Sequence, residues 1–202
     1  MIFSDFFSYV QETRWYREFL NPVVDEIPAH SSVLDIGAGT GKLLQILSLE
    51  KEVQCTGTDT DPGMLQRARR KLGQVPAQLI PTEAGGALPF EDGRFDVVSI
   101  CNVLFLLPEN GVLQILSEAR RVVRNGGKIV ILHPSGRTTP RDLNRKFPFL
   151  LNPTAAMWYF ATRNQARFWC RDNPLARFCS EHQLKYGRNT VFEGYALLEV
   201  IQ

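Results

Sequence analysis

Cysteine is scarce in this chain. The 202 residues hold four, at positions 55, 101, 170 and 179, with no C-x-x-C pair. That excludes a disulfide scaffold and the ligand rhythm of a structural zinc site, and no metal is expected; the four read as reduced thiols of a cytoplasmic protein. Long apolar runs are also missing. The longest, 97–107, has 11 residues and includes Ser99 and Asn102, whereas a membrane-spanning helix needs about 20. The opening MIFSDFFSYVQETRW lacks the basic start of a secretory signal. Charge of one sign is absent too: 23 basic residues against 21 acidic ones leave a net +2, too little by itself to indicate nucleic acid. What is present is ordinary globular composition, 44% hydrophobic and 22% charged, without repeats. One domain spanning 1–202 is expected.

Periodicity gives the order of elements. Phe3, Phe6, Phe7, Val10, Trp15, Phe19 and Leu20 recur at spacings of three and four, which predicts one amphipathic helix over 3–20. Short apolar strands are predicted at 32–36, 52–58, 77–80, 95–100 and 128–132. Helices fall between them at 42–49, from Pro62 behind an Asp61 cap, and at 109–123, closed by Asn125-Gly126-Gly127. Strands that are apolar throughout belong to a parallel sheet covered on both faces, so the class is doubly wound α/β. A helix over 172–181 follows. Two strands, 184–191 and 194–201, then turn at Phe192-Glu193 and form an antiparallel pair at the sheet edge.

The most informative stretch is VLDIGAGTG, residues 33–41. Glycines at 37, 39 and 41 follow a strand and precede a helix, where a bare backbone lets a ligand come close. The spacing is G-x-G-x-G, not the G-x-G-x-x-G of dinucleotide sites. Asp35 stands two residues before the first glycine. A carboxylate there repels a pyrophosphate and suits an ammonium or sulfonium. Asp59 ends the second strand, where an acid can accept hydrogen bonds from both hydroxyls of a ribose.

VLDIGAGTG, then GTDTDPGMLQRAR, LPFEDGRFDVVSI and LSEARRVVRNGGKIVIL resemble the class I S-adenosylmethionine-dependent methyltransferases, in the ubiquinone/menaquinone-biosynthesis-like small-molecule branch. The resemblance covers about 30–133. It implies a Rossmann-like seven-stranded sheet, mostly parallel with an antiparallel last strand, and S-adenosyl-L-methionine as cofactor. It further implies an N-terminal helical lid over 1–29 and a cap between strand 5 and the last helix, here the basic, aromatic segment 137–170. By position, Asp35, Gly37, Ala38 and Gly39 would hold the methionine part, Asp59 the ribose, and Thr60 and Met64 the adenosine. Where the family often has Asp-Ala after the third strand, this chain has Glu83-Ala84 as the candidates. Cys101 and Asn102 would sit under the transferred methyl group.

The remaining candidates concern the acceptor. His133 follows the fifth strand and reads either as a general base or as a polar strand-end residue. Tyr9 and Tyr16 on the first helix read as cofactor or substrate contacts, or as core. Residues 137–177 carry eight basic groups against two acids, a local charge of +6, interleaved with aromatics that include Trp158 beside Arg163. The segment reads as an apolar pocket with an anionic end, as a cap touching a membrane surface, or as a solvated basic face. No nucleic acid is expected, because Cys101-Asn102-Val103-Leu104 stands where base-amino methyltransferases carry an Asn-Pro-Pro-Tyr-type motif. The expected activity is methyl transfer to O, N or C of a small, partly apolar acceptor. The alternatives are a non-catalytic S-adenosylmethionine or S-adenosylhomocysteine binder and a nicotinamide-dependent oxidoreductase.

Overall fold

The computed structural model describes residues 2–202, with side chains from Phe6 onward; Met1 and the side chain of Phe3 lie outside the described residues. The elements are α1 (Ile2–Val10), α2 (Arg14–Glu26), β1 (Ser32–Ile36), α3 (Lys42–Lys51), β2 (Gln54–Asp59), α4 (Pro62–Leu72), β3 (Ala77–Pro81), β4 (Phe95–Cys101), α5 (Glu109–Val122), β5 (Val123–Pro134), α6 (Pro140–Lys146), α7 (Pro153–Asp172), α8 (Pro174–Glu181), β6 (Tyr186–Val191) and β7 (Ala196–Ile201). They build a seven-stranded sheet in the order β3-β2-β1-β4-β5-β7-β6. The strands from β1 to β5 pair in parallel, and β7 runs antiparallel between β5 and β6.

Alternate residues of each central strand feed two cores. Val33, Val97 and Val130 face a layer with α2 and α3, while Leu34, Val98 and Ile129 face one with α5 and α8. Burial on both faces explains why these strands show no polar alternation. The strand order reverses between β1 and β4, and a crevice opens there at the carboxyl ends of the strands.

Several boundaries differ from the sequence expectation. The single helix over 3–20 is two helices. Thr13 caps α2, its hydroxyl accepting from the Tyr16 N–H, so the chain turns at 11–13. Asn125-Gly126-Gly127 does not cap α5. The helix ends at Val122, Val123 is already extended, and the glycine turn with Gly126 at φ 77° lies inside a longer β5. Asp172 belongs to the end of α7, and Asn173 in the left-handed region breaks the chain before α8. The segment 137–170 holds α6 and most of the 20-residue α7, which runs on to Asp172. Among the described residues no helix is long and apolar enough to cross a membrane, and no cluster of His, Cys, Asp and Glu is placed to hold a metal ion.

Candidate active site

The turn after β1 is built from left-handed backbone: φ is +75° at Gly37, +56° at Gly39 and +73° at Gly41. Glycine takes these values without the strain a Cβ would bring. Space forbids side chains as well. A Cβ on Gly37 would lie 2.4 Å from Val103 Cγ2, and one on Gly39 would lie 2.5 Å from Gln11 Nε2. The loop is thus clamped between the segment after β4 and the N-terminal helices. Gln11 Oε1 accepts from the Thr40 N–H at 2.9 Å and the Thr40 hydroxyl at 2.7 Å. From the other side, Asp59 accepts from the Gly39 N–H at 2.8 Å and the Asp61 N–H at 2.9 Å. Asp61 caps α4 through the Gly63 and Met64 N–H groups, which confirms the capping read from Asp61-Pro62.

The crevice above this loop has a volume of about 630 Å³. Of the residues singled out from sequence, Tyr16, Gly37, Gly39, Asp59, Thr60, Met64, Glu83, Ala84 and Cys101 all line it. Asn102, Phe7, Gln11, Val103, Leu106, Leu107 and Glu118 line it too. Gln11 and Phe7 carried no readable signal, because their place depends on how the first two helices dock.

Other candidates lie elsewhere. Asp35 is 3% exposed and sits beneath the lining, taking a 2.7 Å hydrogen bond from the Ser99 hydroxyl. Ala38 is buried, and its N–H is spent on Thr58 O, so it supports the loop from below. Tyr9 is 65% exposed and outside the crevice. Trp158 packs in an aromatic cluster with Trp15 and Phe19, and Arg163 lies over the Phe160 ring on α7; neither reaches the crevice.

His133 is the largest correction. It is 1% exposed and lines no part of the crevice. Leu132 pairs with Cys101 and shares its face, so its neighbour His133 points to the opposite side of the sheet. There Nε2 lies 2.5 Å from Glu199 Oε2, Nδ1 lies 3.0 Å from Pro134 O, and Trp169 packs edge-on. Both ring nitrogens are engaged, which leaves none to take a substrate proton.

The electrostatics are one-sided. Among the described residues no Lys, Arg or His lines the crevice, while Asp59, Asp61, Glu83 and Glu118 do; Glu118 is paired with Arg121. Below them the Asp35 pKa is raised to about 7, chiefly by burial, with the Ser99 hydrogen bond opposing the rise and Asp59 adding to it. No cation pairs with Asp35 among the described residues. Burial, then the neighbouring Cys101 and Asp35, pushes the Tyr16 hydroxyl upward, against hydrogen bonds from Asn102 and Gln11. Burial followed by Asp35 does the same to the Cys101 thiol, so both stay protonated near neutral pH. A pyrophosphate would meet only carboxylates here. A ligand with a ribose and a cationic end fits the donor and acceptor set.

A model of a methyltransferase domain matches residues 33–127. Fold, crevice and family match together are those of the class I S-adenosylmethionine-dependent methyltransferases, the match covering just under half of the chain, and the crevice suits S-adenosyl-L-methionine as cofactor. Within that class the chain is similar to demethylmenaquinone methyltransferase of Shouchella clausii, at 29% identity over 87% of this chain and 75% of the relative. It also resembles the ubiquinone/menaquinone biosynthesis C-methyltransferase UbiE of Citrifermentans bemidjiense, at 32% identity over 64% of this chain. The match spans just over half of that relative, 55%. Among solved structures, an S-adenosyl-L-methionine-dependent methyltransferase of Methanococcus maripaludis superposes with a TM-score of 0.69 and 18% identity, covering 94% of this chain and 87% of that one; this likeness bears on the fold.

Proposed function

We propose that the chain methylates a small acceptor with an apolar body and a neutral hydroxyl or amine. The supporting observation is the crevice lining, which has no cationic side chain among the described residues. That argues against the anionic acceptor suggested by Arg163. Val103, Leu106, Leu107 and Phe7 offer the apolar wall. Asn102 offers the polar point. It is held at φ +59°, its Nδ2 donates to the Tyr16 hydroxyl at 3.3 Å, and its Oδ1 is buried without a partner. An orphaned carbonyl oxygen costs free energy until an O–H or N–H reaches it. The demethylmenaquinone named in the relatives belongs to the same broad class of apolar ring compounds.

The bound cofactor supplies an electrophilic methyl carbon on a sulfonium leaving group. The chain's residues then have to hold the acceptor in line and exclude water. With His133 turned away, and Tyr16 and Cys101 protonated, the basic groups of the lining are carboxylates such as Asp61 and Glu83, so a hydroxyl acceptor has to give its proton to one of these or to water, while a neutral amine attacks the methyl carbon through its free lone pair without a base. A panel of hydroquinones, phenols, aromatic amines and aromatic acids, scored by S-adenosylhomocysteine release, tests this. Turnover of the neutral members and not the acids is expected; a preference for the acids would sink the reading. Asn102→Gly keeps the left-handed backbone and removes the amide. It should lower acceptor kcat/KM by about 10–100-fold and leave cofactor affinity within about twofold.

Asp35 should make cofactor binding depend on pH. Its carboxyl holds a proton up to about pH 7 in the folded chain, against 3.8 for the free group. A cationic amino group above it favours the ionised form, so cofactor affinity should rise from pH 5 to 7 by up to about tenfold per unit. The same shift makes the ligand-free fold less stable as pH rises from about 4 to 7, since only the unfolded chain then releases the proton freely. Calorimetric titration with S-adenosylhomocysteine should show the slope in the parent chain and a flat profile in Asp35→Asn. Equal slopes would remove Asp35 from the site.

A further inference from the structure

The outward side of α7 and the loop before it expose large apolar groups. Leu150 is 99% exposed, Leu151 79%, Met157 56%, Phe160 49% and Phe168 56%. Singly such residues mean little, but here Leu150 and Leu151 in the loop are followed on one side of the helix by Met157, Phe160 and Phe168, with the polar Asn164 between the last two. The loop is built and held. Asn144 Oδ1 accepts the Phe149 N–H at 2.8 Å, Pro148 O accepts from Leu151 and Asn152, and Phe149 packs on Phe160. Trp15 donates to Thr154 and ties the start of α7 to α2.

Basic residues flank this apolar run, with Arg171 at its far end ion-paired to Asp172 and Phe168 there lining a surface pocket with Glu109, Asp172 and Glu181. Arg141, Arg145 and Arg167 are exposed and Arg163 is half-buried, and Asp142 is the sole acid between residues 140 and 171. Arg163 lies over Phe160 at 5.1 Å and Arg171 over Phe168 at 5.0 Å. Arginines that flank exposed Phe and Leu on one amphipathic helix are the chemistry of an interfacial helix. The apolar side enters the acyl boundary and the cations meet anionic headgroups. We propose that α7 and the 148–153 loop dock this chain on an anionic lipid bilayer surface. The buried side of the same helix connects to the crevice wall: Trp15, which contacts Trp158 of α7, stacks edge-on with Tyr16 at 5.8 Å. The proposal stands on surface chemistry alone and does not depend on the acceptor reading.

Co-sedimentation of the full chain with phosphatidylcholine vesicles, with and without phosphatidylglycerol, tests it. Binding to the anionic vesicles, weakened by salt, is expected. Leu150→Glu with Leu151→Glu should reduce it by about tenfold or more, and Arg141→Ala with Arg145→Ala should reduce it by a smaller factor. Unchanged S-adenosylhomocysteine affinity shows that the variants are folded. No binding, equal binding to neutral vesicles, or equal binding by the leucine variant would overturn the proposal. So would light scattering that finds a dimer in the parent chain and a monomer in that variant, because the face would then be covered by a second copy.

Discussion

Asp59→Ala is expected to abolish micromolar binding of S-adenosylhomocysteine, weakening it by at least about 100-fold, or about 3 kcal/mol. Two effects combine. The carboxylate holds the glycine loop through the Gly39 N–H and the start of α4 through the Asp61 N–H. Facing the crevice, it is also the acceptor we assign to the ribose hydroxyls, and hydrogen bonds to a charged group are worth about 1.5–3 kcal/mol each. Asp59→Asn separates the effects, because an amide keeps one acceptor oxygen and loses the charge; an intermediate loss is expected. Calorimetry with NADH as the control ligand checks the result. Affinity within about threefold of the parent chain, or NADH binding in its place, would contradict the assignment of Asp59.

Glu199→Ala is expected to destabilise the fold by about 3–5 kcal/mol and leave cofactor affinity unchanged. Glu199 is fully buried in β7 and gathers His133, Trp169 Nε1 at 3.0 Å and the Tyr186 hydroxyl, with Arg188 at 3.4 Å. Removing the carboxylate leaves His133 Nε2 and Trp169 Nε1 unpaired in the core, while Tyr186 keeps Asn173 and Arg188 keeps Cys170 O. Burial alone would raise its pKa, but hydrogen bonds from His133, Tyr186 and Trp169 bring it below the usual 4.5. A depressed carboxylate adds stability above its unfolded value and loses it as pH falls through the folded one. The parent chain should therefore lose this contribution in acid, and Glu199→Ala should not. Urea unfolding at neutral and acid pH measures both. His133→Ala should follow the same pattern, with stability lost and kcat for a true acceptor retained. A stable His133→Ala protein with no turnover would restore His133 as a base.

These two variants mark what could and could not be read from the chain. The loop carrying Gly37, Gly39 and Gly41, the Asp61 cap and the order of strands are local. Each depends on backbone dihedrals or on apolar runs within a few residues, and each was legible. Asp59, Thr60 and Met64 follow closely on the strand end that the motif identifies, so they fell into the crevice together. Asp35 was legible as a carboxylate, but not as one buried beneath the floor. Asn102 was legible as a neighbour of Cys101, but not as a residue with an unmet hydrogen bond.

The sequence by itself determined the sheet class, the glycine loop and the acidic character of the cofactor side, because periodicity and turn chemistry act over short stretches. Only the tertiary structure decided which way His133 faces, since 128–134 is apolar on both sides and parity appears only in the register with β4 and β7. It alone placed Trp158 in the core and Arg163 and Tyr9 outside the crevice. Helix spacing gives a face, but the partner of that face is set by the packing of α2 against α7, joined by contacts more than a hundred residues apart in sequence.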